Sequence, residues 1–301
     1  QELPADVYQL VANKVMEQVE HDLLHGTEDE LKHTEAGVAY VKQGTKAIAA
    51  QWKDFGITRK VTKRSVMTLA YGSKEYGFKE QLMEDILRPA KQANKPFPFQ
   101  GDGYQAAQYM AKAIWVSVNK VLVKAGEAMK WLQGAASLAA SEELPVRWST
   151  AVGFPVMQAY ADLEKRKVKT AINGKLVYLT MYQDKDNLDR RKQSSGIAPN
   201  FVHSCDAAHM MLTVTRAKQA GIDNFAMIHD SFGTTAGDVE QLYHTVREGF
   251  VEMYGDVDVI ESFRDEILQQ LSEKNREKLE ALPKRGNLDL SDVVNSRYCF
   301  A

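Results

Sequence analysis

Apolar positions recur at helical spacing through the first half of the chain. Val7, Val11, Val15, Val19 and Leu23 follow one another every four residues, along one face of a helix, and Gly26 supplies its stop. Thr27 and Glu30 stand at capping-box spacing, a sequence mark of a helix start. Ala47, Ile48, Gln51 and Trp52 predict a second helical stretch that breaks at Gly56. No Gly or Pro interrupts residues 57–70, so one helix is expected there, punctuated by Tyr71-Gly72-Ser73. A helix resumes over 78–87 and is expected to stop before Pro89, because the residue ahead of a proline is pushed away from helical geometry. Residues 94–103 are a loop by composition, and 104–140, apolar-periodic and Ala-rich, reads as one or two helices.

The pattern then changes. Residues 146–150 resemble a strand, and Gly153-Phe154-Pro155 a turn. Residues 168–182 predict a hairpin around Asn173-Gly174, a pair suited to a tight primed turn. A helix is expected over 200–220, then a short buried strand at 225–228 running into His229-Asp230-Ser231. Asp238 can cap a helix to Tyr254, and the tail reads as helical to about Leu279. No repeat, low-complexity tract or clear linker is visible. The expected class is α+β, helix-rich.

Composition narrows this little. A chain of 301 residues can bury a sizeable core, and 44% hydrophobic with 26% charged residues is an ordinary globular balance. That excludes a mainly disordered, collagen-like or disulfide-scaffold chain. Cys205 and Cys299 give neither a disulfide framework nor a zinc pattern, which favours a reducing compartment. No apolar run is long enough to span a bilayer. The start, Gln1-Glu2-Leu3-Pro4, is no signal peptide and lacks an initiator Met, so the chain is expected to be cut from a longer precursor or processed. The net charge of −2 argues, as a sum, against a nucleic-acid binder. Its distribution argues the other way. Residues 53–79 hold seven basic and two acidic side chains, and 158–195 hold nine basic against five acidic.

Candidate chemistry lies in three places. Arg59, Lys63, Met67 and Tyr71 recur every four residues, a slowly drifting stripe on one helix face. Two cations suit a triphosphate, Met and Tyr can cover a base or sugar, and Gly72 lets backbone approach a ligand. The same spacing also fits a solvated basic face with core residues behind it. Asp230 follows an apolar strand, a rigid hard-oxygen ligand for Mg²⁺, but two-metal phosphoryl transfer needs at least two carboxylates. A turn or cap aspartate is the plainer alternative. A hydrolase-type His-Asp metal site would need further ligands, and His203 and His209 do not complete a set. The lysine-rich hairpin suits the DNA major groove, or is an ordinary solubilising surface.

Joined, these segments resemble a known family. Arg59-x3-Lys63-x3-Met67-x3-Tyr71-Gly72 is similar to the fingers-helix motif B of single-subunit polymerases, and His229-Asp230-Ser231 to their palm motif C. TKRSVMTLAYGSKEYGF (62–78), SGIAPNFVHS (195–204), AMIHDSFGT (226–234) and the final Phe300-Ala301 resemble the DNA-dependent RNA polymerases of T-odd bacteriophages and their mitochondrial relatives. The resemblance covers essentially the whole chain. The related DNA polymerases carry Phe at the position of Met67 and typically His-Asp-Glu at 229–231, so both departures favour RNA synthesis.

The resemblance implies right-hand polymerase fingers plus part of the palm, with a β-hairpin specificity loop. It implies fingers and adjoining helices over 1–150, then the hairpin (about 163–183), the motif C region, C-terminal helices and foot over 151–301. It makes Asp230 one of two aspartates holding two Mg²⁺ ions, and Lys63 a triphosphate contact and general acid for pyrophosphate departure. Arg59 would bind phosphate, Tyr71 stack near the incoming nucleotide, and Tyr71 with His203 select the ribose 2′-OH. Met67 and Gly72 would line the nucleotide pocket and template turn. Arg166, Lys167, Lys169 and Lys175 are the candidate promoter contacts, and Phe300 and Ala301 the foot near the active site, with Cys299 displacing the aromatic before that pair. The implied partners are double-stranded promoter DNA, template DNA, nascent RNA and nucleoside triphosphates, with no membrane, in the cytoplasm of an infected bacterial host.

The family's motif A, which holds the other catalytic Asp, has no equivalent in the 301 residues. The expectation is a split, processed or truncated polymerase whose N-terminal portion arrives as a separate chain. A template-directed DNA polymerase and a non-catalytic nucleic-acid-binding fragment remain as alternatives.

Overall fold

The structure, a computed structural model, describes residues 6–33, 37, 39–93 and 96–296. The chain divides into two compact units, Gln1–Gly126 and Glu127–Ala301. Phe300 and Ala301 lie outside the described residues.

In the first unit, α1 (Val7–His25) buries Val11, Ala12, Val15 and Val19, the stripe expected from the four-residue repeat. Asp6 caps it, its carboxylate accepting from the backbone N–H of Tyr8 at 2.9 Å and of Gln9 at 3.2 Å. The Thr27 spacing does not start a helix. Thr27 and Thr45 instead exchange backbone-to-hydroxyl bonds of 2.9 and 3.0 Å. Glu30 opens β1 (Glu30–His33), antiparallel to β2 (Ala39–Lys42). Then come α2 (Thr45–Phe55) and α3 (Arg59–Leu69).

The helix expected to end before Pro89 does not end there. It starts at α4 (Glu75–Leu82), passes through one wide π-helical stretch, Met83–Leu87, and continues as α5 (Arg88–Gln92). Pro89 falls in the first turn of α5, where its missing N–H costs little. The Ala-rich stretch is two helices, α6 (Tyr104–Val121) and α7 (Val123–Ser141), separated at Leu122. α1 packs on α2, α3 and α6, and α4 packs on α6. Trp52 is fully buried there; its Nε1–H donates to the Ala106 carbonyl at 2.9 Å, and its ring meets Phe55 and Phe99.

The second unit has a core of Trp131, Trp148, Phe201 and Phe263 with Ala135, Ala136, Ile197 and Ile267. Phe263 sits centrally, with ring centroids 5.3 Å from Phe201 and 5.8 Å from Trp148. β3 (Val146–Ser149) pairs with β4 (Pro155–Gln158) across a turn containing Gly153. Pro155 is therefore the first residue of a strand, not part of the turn; a strand start tolerates a missing N–H. β5 (Ala161–Ile172) and β6 (Lys175–Leu188) form a long hairpin about Asn173 (φ 50°) and Gly174 (φ 73°), the positive pair a primed turn requires.

α8 (Arg190–Gln219) begins ten residues ahead of the expected start and carries Pro199 internally. Asp189 caps it through the Lys192 N–H at 2.9 Å, a signal hidden behind the proline. β7 (Ala226–Ile228) and β8 (Ser231–Gly233) form a small hairpin. The strand is not buried as expected. Phe225, Met227 and Phe232 pack on Ala217, Ile222, Leu242 and Val246, while Ile228 is 68% exposed. A two-stranded ribbon alternates, so a continuous apolar run covers only one of its faces. α9 (Val239–Asp256) follows Asp238, whose carboxylate accepts from Thr235 Oγ1 at 2.7 Å and does not cap the helix. α10 (Val259–Gln270) and the short α11 (Glu273–Arg276) follow, and a last turn, α12 (Asp292–Asn295), packs back on α9.

Candidate functional site

In the first unit, α3 turns Val61, Thr62, Ser65, Val66 and Leu69 into the core. That fixes the opposite side outward. Lys63 is exposed, Arg59 half-buried, and Met67 44% and Tyr71 42% exposed. The stripe is thus a real surface. Tyr71 and Gly72 lie just past the helix, where the Gly72 N–H bonds the Leu69 carbonyl and Gly72 takes φ 79°, open to glycine at little cost.

Two residues that hold the stripe were not read from the sequence. The Arg59 guanidinium pairs with Asp6 and lies 4.8 Å from the Tyr8 ring centre, and Lys63 Nζ stands 5.9 Å from the same ring. Thr62 Oγ1 ties α3 to α1 by donating to the Tyr8 carbonyl at 2.9 Å. Burial pushes the Asp6 carboxyl up, but the hydrogen bonds from Arg59, Gln9 and Tyr8 outweigh it, and its pKa falls below the ordinary carboxylate value. The signal was present in Asp6 itself, an N-cap residue directly before the first periodic valine.

In the second unit, Asp230 is exposed at the tip of the β7–β8 hairpin, beside His229 with φ 56°. The hairpin is set by α8. His209 of α8 is buried with its ring 5.4 Å from Phe232 and 5.6 Å from Phe250, and a ring nitrogen donates to the Val246 carbonyl at 2.8 Å. Burial lowers the His209 pKa, against the opposing effects of Val246 and Asp206, so the ring favours its neutral form.

His203, Asp206 and His209 recur every three residues along α8. Burial raises the pKa of Asp206, the Asp230 charge adds to the rise, and His203 and His209 act against it. Asp230, Asp206 and His203 are therefore electrostatic neighbours. The i,i+3 spacing from His203 was the sequence sign of Asp206. Asp230, Ser231, Gly233, Tyr243 and Arg247 line a groove of about 660 Å³. Arg247 is buried on its wall, stacked at 3.4 Å on Tyr243 and bonded to the carbonyls of Tyr243 and Ser296.

Among the described residues no group of three His, Cys, Asp or Glu side chains could hold a metal ion. Asp230 nevertheless fits as one oxygen ligand of a hard divalent cation, being solvent-exposed and accepting no hydrogen bond from the described residues. Arg166, Lys167, Lys169 and Lys175 all lie on the exposed β5–β6 hairpin. The lysine-arginine stripe and the hairpin carboxylate belong to different units, one to each.

Comparison with known proteins places the chain in a family. The family model for DNA-dependent RNA polymerase matches residues 1–281. T7 RNA polymerase of Escherichia phage T7 is 44% identical over 98% of this chain and 36% of its own length. The DNA-directed RNA polymerase of Enterobacteria phage T3 is 43% identical over 98% of the chain and 36% of its own length. DNA-directed RNA polymerase 2A of Nicotiana tabacum is 31% identical over 99% of the chain and 82% of its own length. The chain belongs to the DNA-dependent RNA polymerase family, and it spans 36% of the length of those two phage relatives.

Proposed function

We propose that the chain is the C-terminal part of a DNA-dependent RNA polymerase of the phage type and performs template-directed ribonucleotidyl transfer together with the N-terminal portion. The observation that carries this reading is the outward stripe of Arg59, Lys63 and Met67 on α3, continued by Tyr71 just past its end, opposite a buried side that is fixed, in a chain of this family. In it residues 1–150 supply fingers and adjoining helices, and residues 151–301 part of the palm, the motif C carboxylate and a promoter-reading hairpin.

The reaction joins the RNA 3′-oxygen to the α-phosphorus of a nucleoside triphosphate and breaks its bond to the β-phosphate oxygen, releasing pyrophosphate. Such catalysis is positioning and charge neutralisation. Arg59 and Lys63 hold the triphosphate, and Lys63 gives a proton to the leaving pyrophosphate. Met67 and Gly72 form the floor for base and template, and Tyr71 with His203 senses the 2′-hydroxyl. Asp230 would hold Mg²⁺, which when bound neutralises the phosphates and activates the 3′-oxygen. The second carboxylate that two ions need comes from the N-terminal portion, as motif A is not found in these residues. The partners are promoter and template DNA, nascent RNA and nucleoside triphosphates, in the cytoplasm of an infected bacterium.

The test is complementation. The chain is mixed with a polymerase portion carrying motif A and given a primed DNA template. Ribonucleotide incorporation is expected in the mixture, with deoxynucleotides discriminated against, and none from the 301 residues alone. Promoter-dependent transcription by the chain alone overturns the division of labour, and preferred incorporation of deoxynucleotides marks a DNA polymerase.

A further inference from the structure

The β5–β6 register sorts the hairpin side chains into two unlike faces. Directly paired residues of antiparallel strands share a face, and faces alternate along each strand. Lys165 pairs with Tyr182, Lys167 with Thr180 and Lys169 with Tyr178, so three lysines, two tyrosines and a threonine stand together, with the Leu163–Asp184 pair beyond them at the base of the hairpin and Ala171–Leu176 beyond them towards its tip. Arg166 pairs with Met181, Val168 with Leu179, Thr170 with Val177 and Ile172 with Lys175 on the other side. That second face is mainly apolar, and Arg166 on it is already engaged by Glu164 at 3.3 Å. On the first face Lys167 and Lys169 form no ion pair with the described residues, and Lys165 Nζ stands 5.7 Å from the Tyr182 ring centre. Tyr178 and Tyr182 are 64% and 58% exposed.

We infer that the hairpin reads duplex DNA with one face only, Lys165, Lys167, Lys169, Tyr178, Thr180 and Tyr182, and that Arg166 and Lys175, on the opposite face, make no contact with the DNA. The inference rests on the reading of the hairpin as a promoter contact and adds which side chains do the reading. A two-stranded ribbon fits the major groove, which is about 12 Å wide. Alternate residues of a strand are about 6.8 Å apart, so the three lysines form a row about 13.5 Å long, a length that spans about four phosphates of one strand. Lysine suits guanine O6 and N7, and the Thr180 methyl and tyrosine rings suit a thymine methyl. Three lysines against the one carboxylate of Asp184 leave this face net positive, which draws the duplex, and its hydroxyls discriminate bases.

The test measures anisotropy of a fluorescein-labelled DNA duplex of about two helical turns bound by the full chain, between about 50 and 200 mM salt. Replacing Lys165, Lys167 and Lys169 together by Gln should flatten the salt dependence; over that range wild-type affinity should fall roughly 40-fold more than the variant's. Tyr178→Ala with Tyr182→Ala should weaken binding at every salt by roughly fivefold or more without changing the slope. Arg166→Gln with Lys175→Gln should change neither. An Arg166/Lys175 effect equal to that of the three lysines overturns the face assignment but leaves the hairpin a DNA contact. No effect of any variant on an otherwise measurable affinity, or no binding by wild type, overturns the hairpin reading as well. Circular dichroism of each variant, expected to match wild type because the ribbon is exposed, shows that the rest of the chain is folded.

Discussion

Asp6 has two roles that substitution can separate. Its carboxylate caps α1 through two backbone N–H groups and neutralises part of the Arg59 charge on the α3 stripe. Asn caps a helix about as well as Asp, so Asp6→Asn removes only the ion pair, while Asp6→Ala removes both. The pair is partly exposed and contributes about 0.2–1 kcal/mol; the cap contributes about 0.5–2 kcal/mol more. With a urea slope of about 1–3 kcal/mol per molar, each kcal/mol moves the midpoint by about 0.3–1 M.

Because the folded Asp6 pKa is depressed, its contribution is complete above the ordinary carboxylate range and lost as pH falls through the folded value. Urea unfolding followed by tryptophan fluorescence should therefore rank wild type above Asp6→Asn above Asp6→Ala at pH 7. The gap between wild type and Asp6→Asn should close in acid. Freed of its carboxylate, Arg59 should bind a fluorescent nucleoside triphosphate about two- to fivefold more tightly in Asp6→Asn. Equal midpoints for the two variants, or weaker triphosphate binding by Asp6→Asn, would refute this account of the stripe.

Further outcomes follow from the packing and the site. Phe263→Ala opens the centre of the second core and should cost about 3–5 kcal/mol, lowering the melting temperature by roughly 6–20 °C in calorimetry. Burial pushes the Cys205 thiol up to about 12, so iodoacetamide at pH 8 should leave it unmodified in the folded chain and modify it in urea, read by mass spectrometry. Tyr71→Phe should relax discrimination against deoxynucleotides in the complemented polymerase; an unchanged ratio of ribo- to deoxynucleotide incorporation would remove Tyr71 from sugar selection.

Local signals carried much of the fold. The valine repeat of α1, the glycine after it and Asn173-Gly174 act within a few residues, and the structure repeats them. The misses are places where distant partners or a second rule decided. Pro89 falls just after a π-helical stretch, in the first turn of the helix that continues it, and Pro199 inside a helix already capped at Asp189. Thr27 found a hydroxyl eighteen positions away in Thr45. The β7 run was apolar enough for a buried strand, but only its alternate residues have a neighbour to cover them. For the site, spacing found Arg59, Lys63 and Met67 because they share one helix, and Tyr71 because the turn that ends the helix carries it on. It could not find Tyr8 or Asp6, which meet α3 only through tertiary packing, nor the faces of the hairpin, which depend on register.

The central claim is that Asp230 is a metal-holding carboxylate of a ribonucleotidyl-transfer site. Its most direct test is single-nucleotide extension of an RNA primer on a DNA template by the complemented polymerase, comparing wild type with Asp230→Asn at saturating triphosphate and Mg²⁺. The account predicts loss of extension by a factor of at least about 100, the scale of removing one transition-state contact, with primer-template binding retained. Extension by Asp230→Asn at a near-normal rate would contradict it.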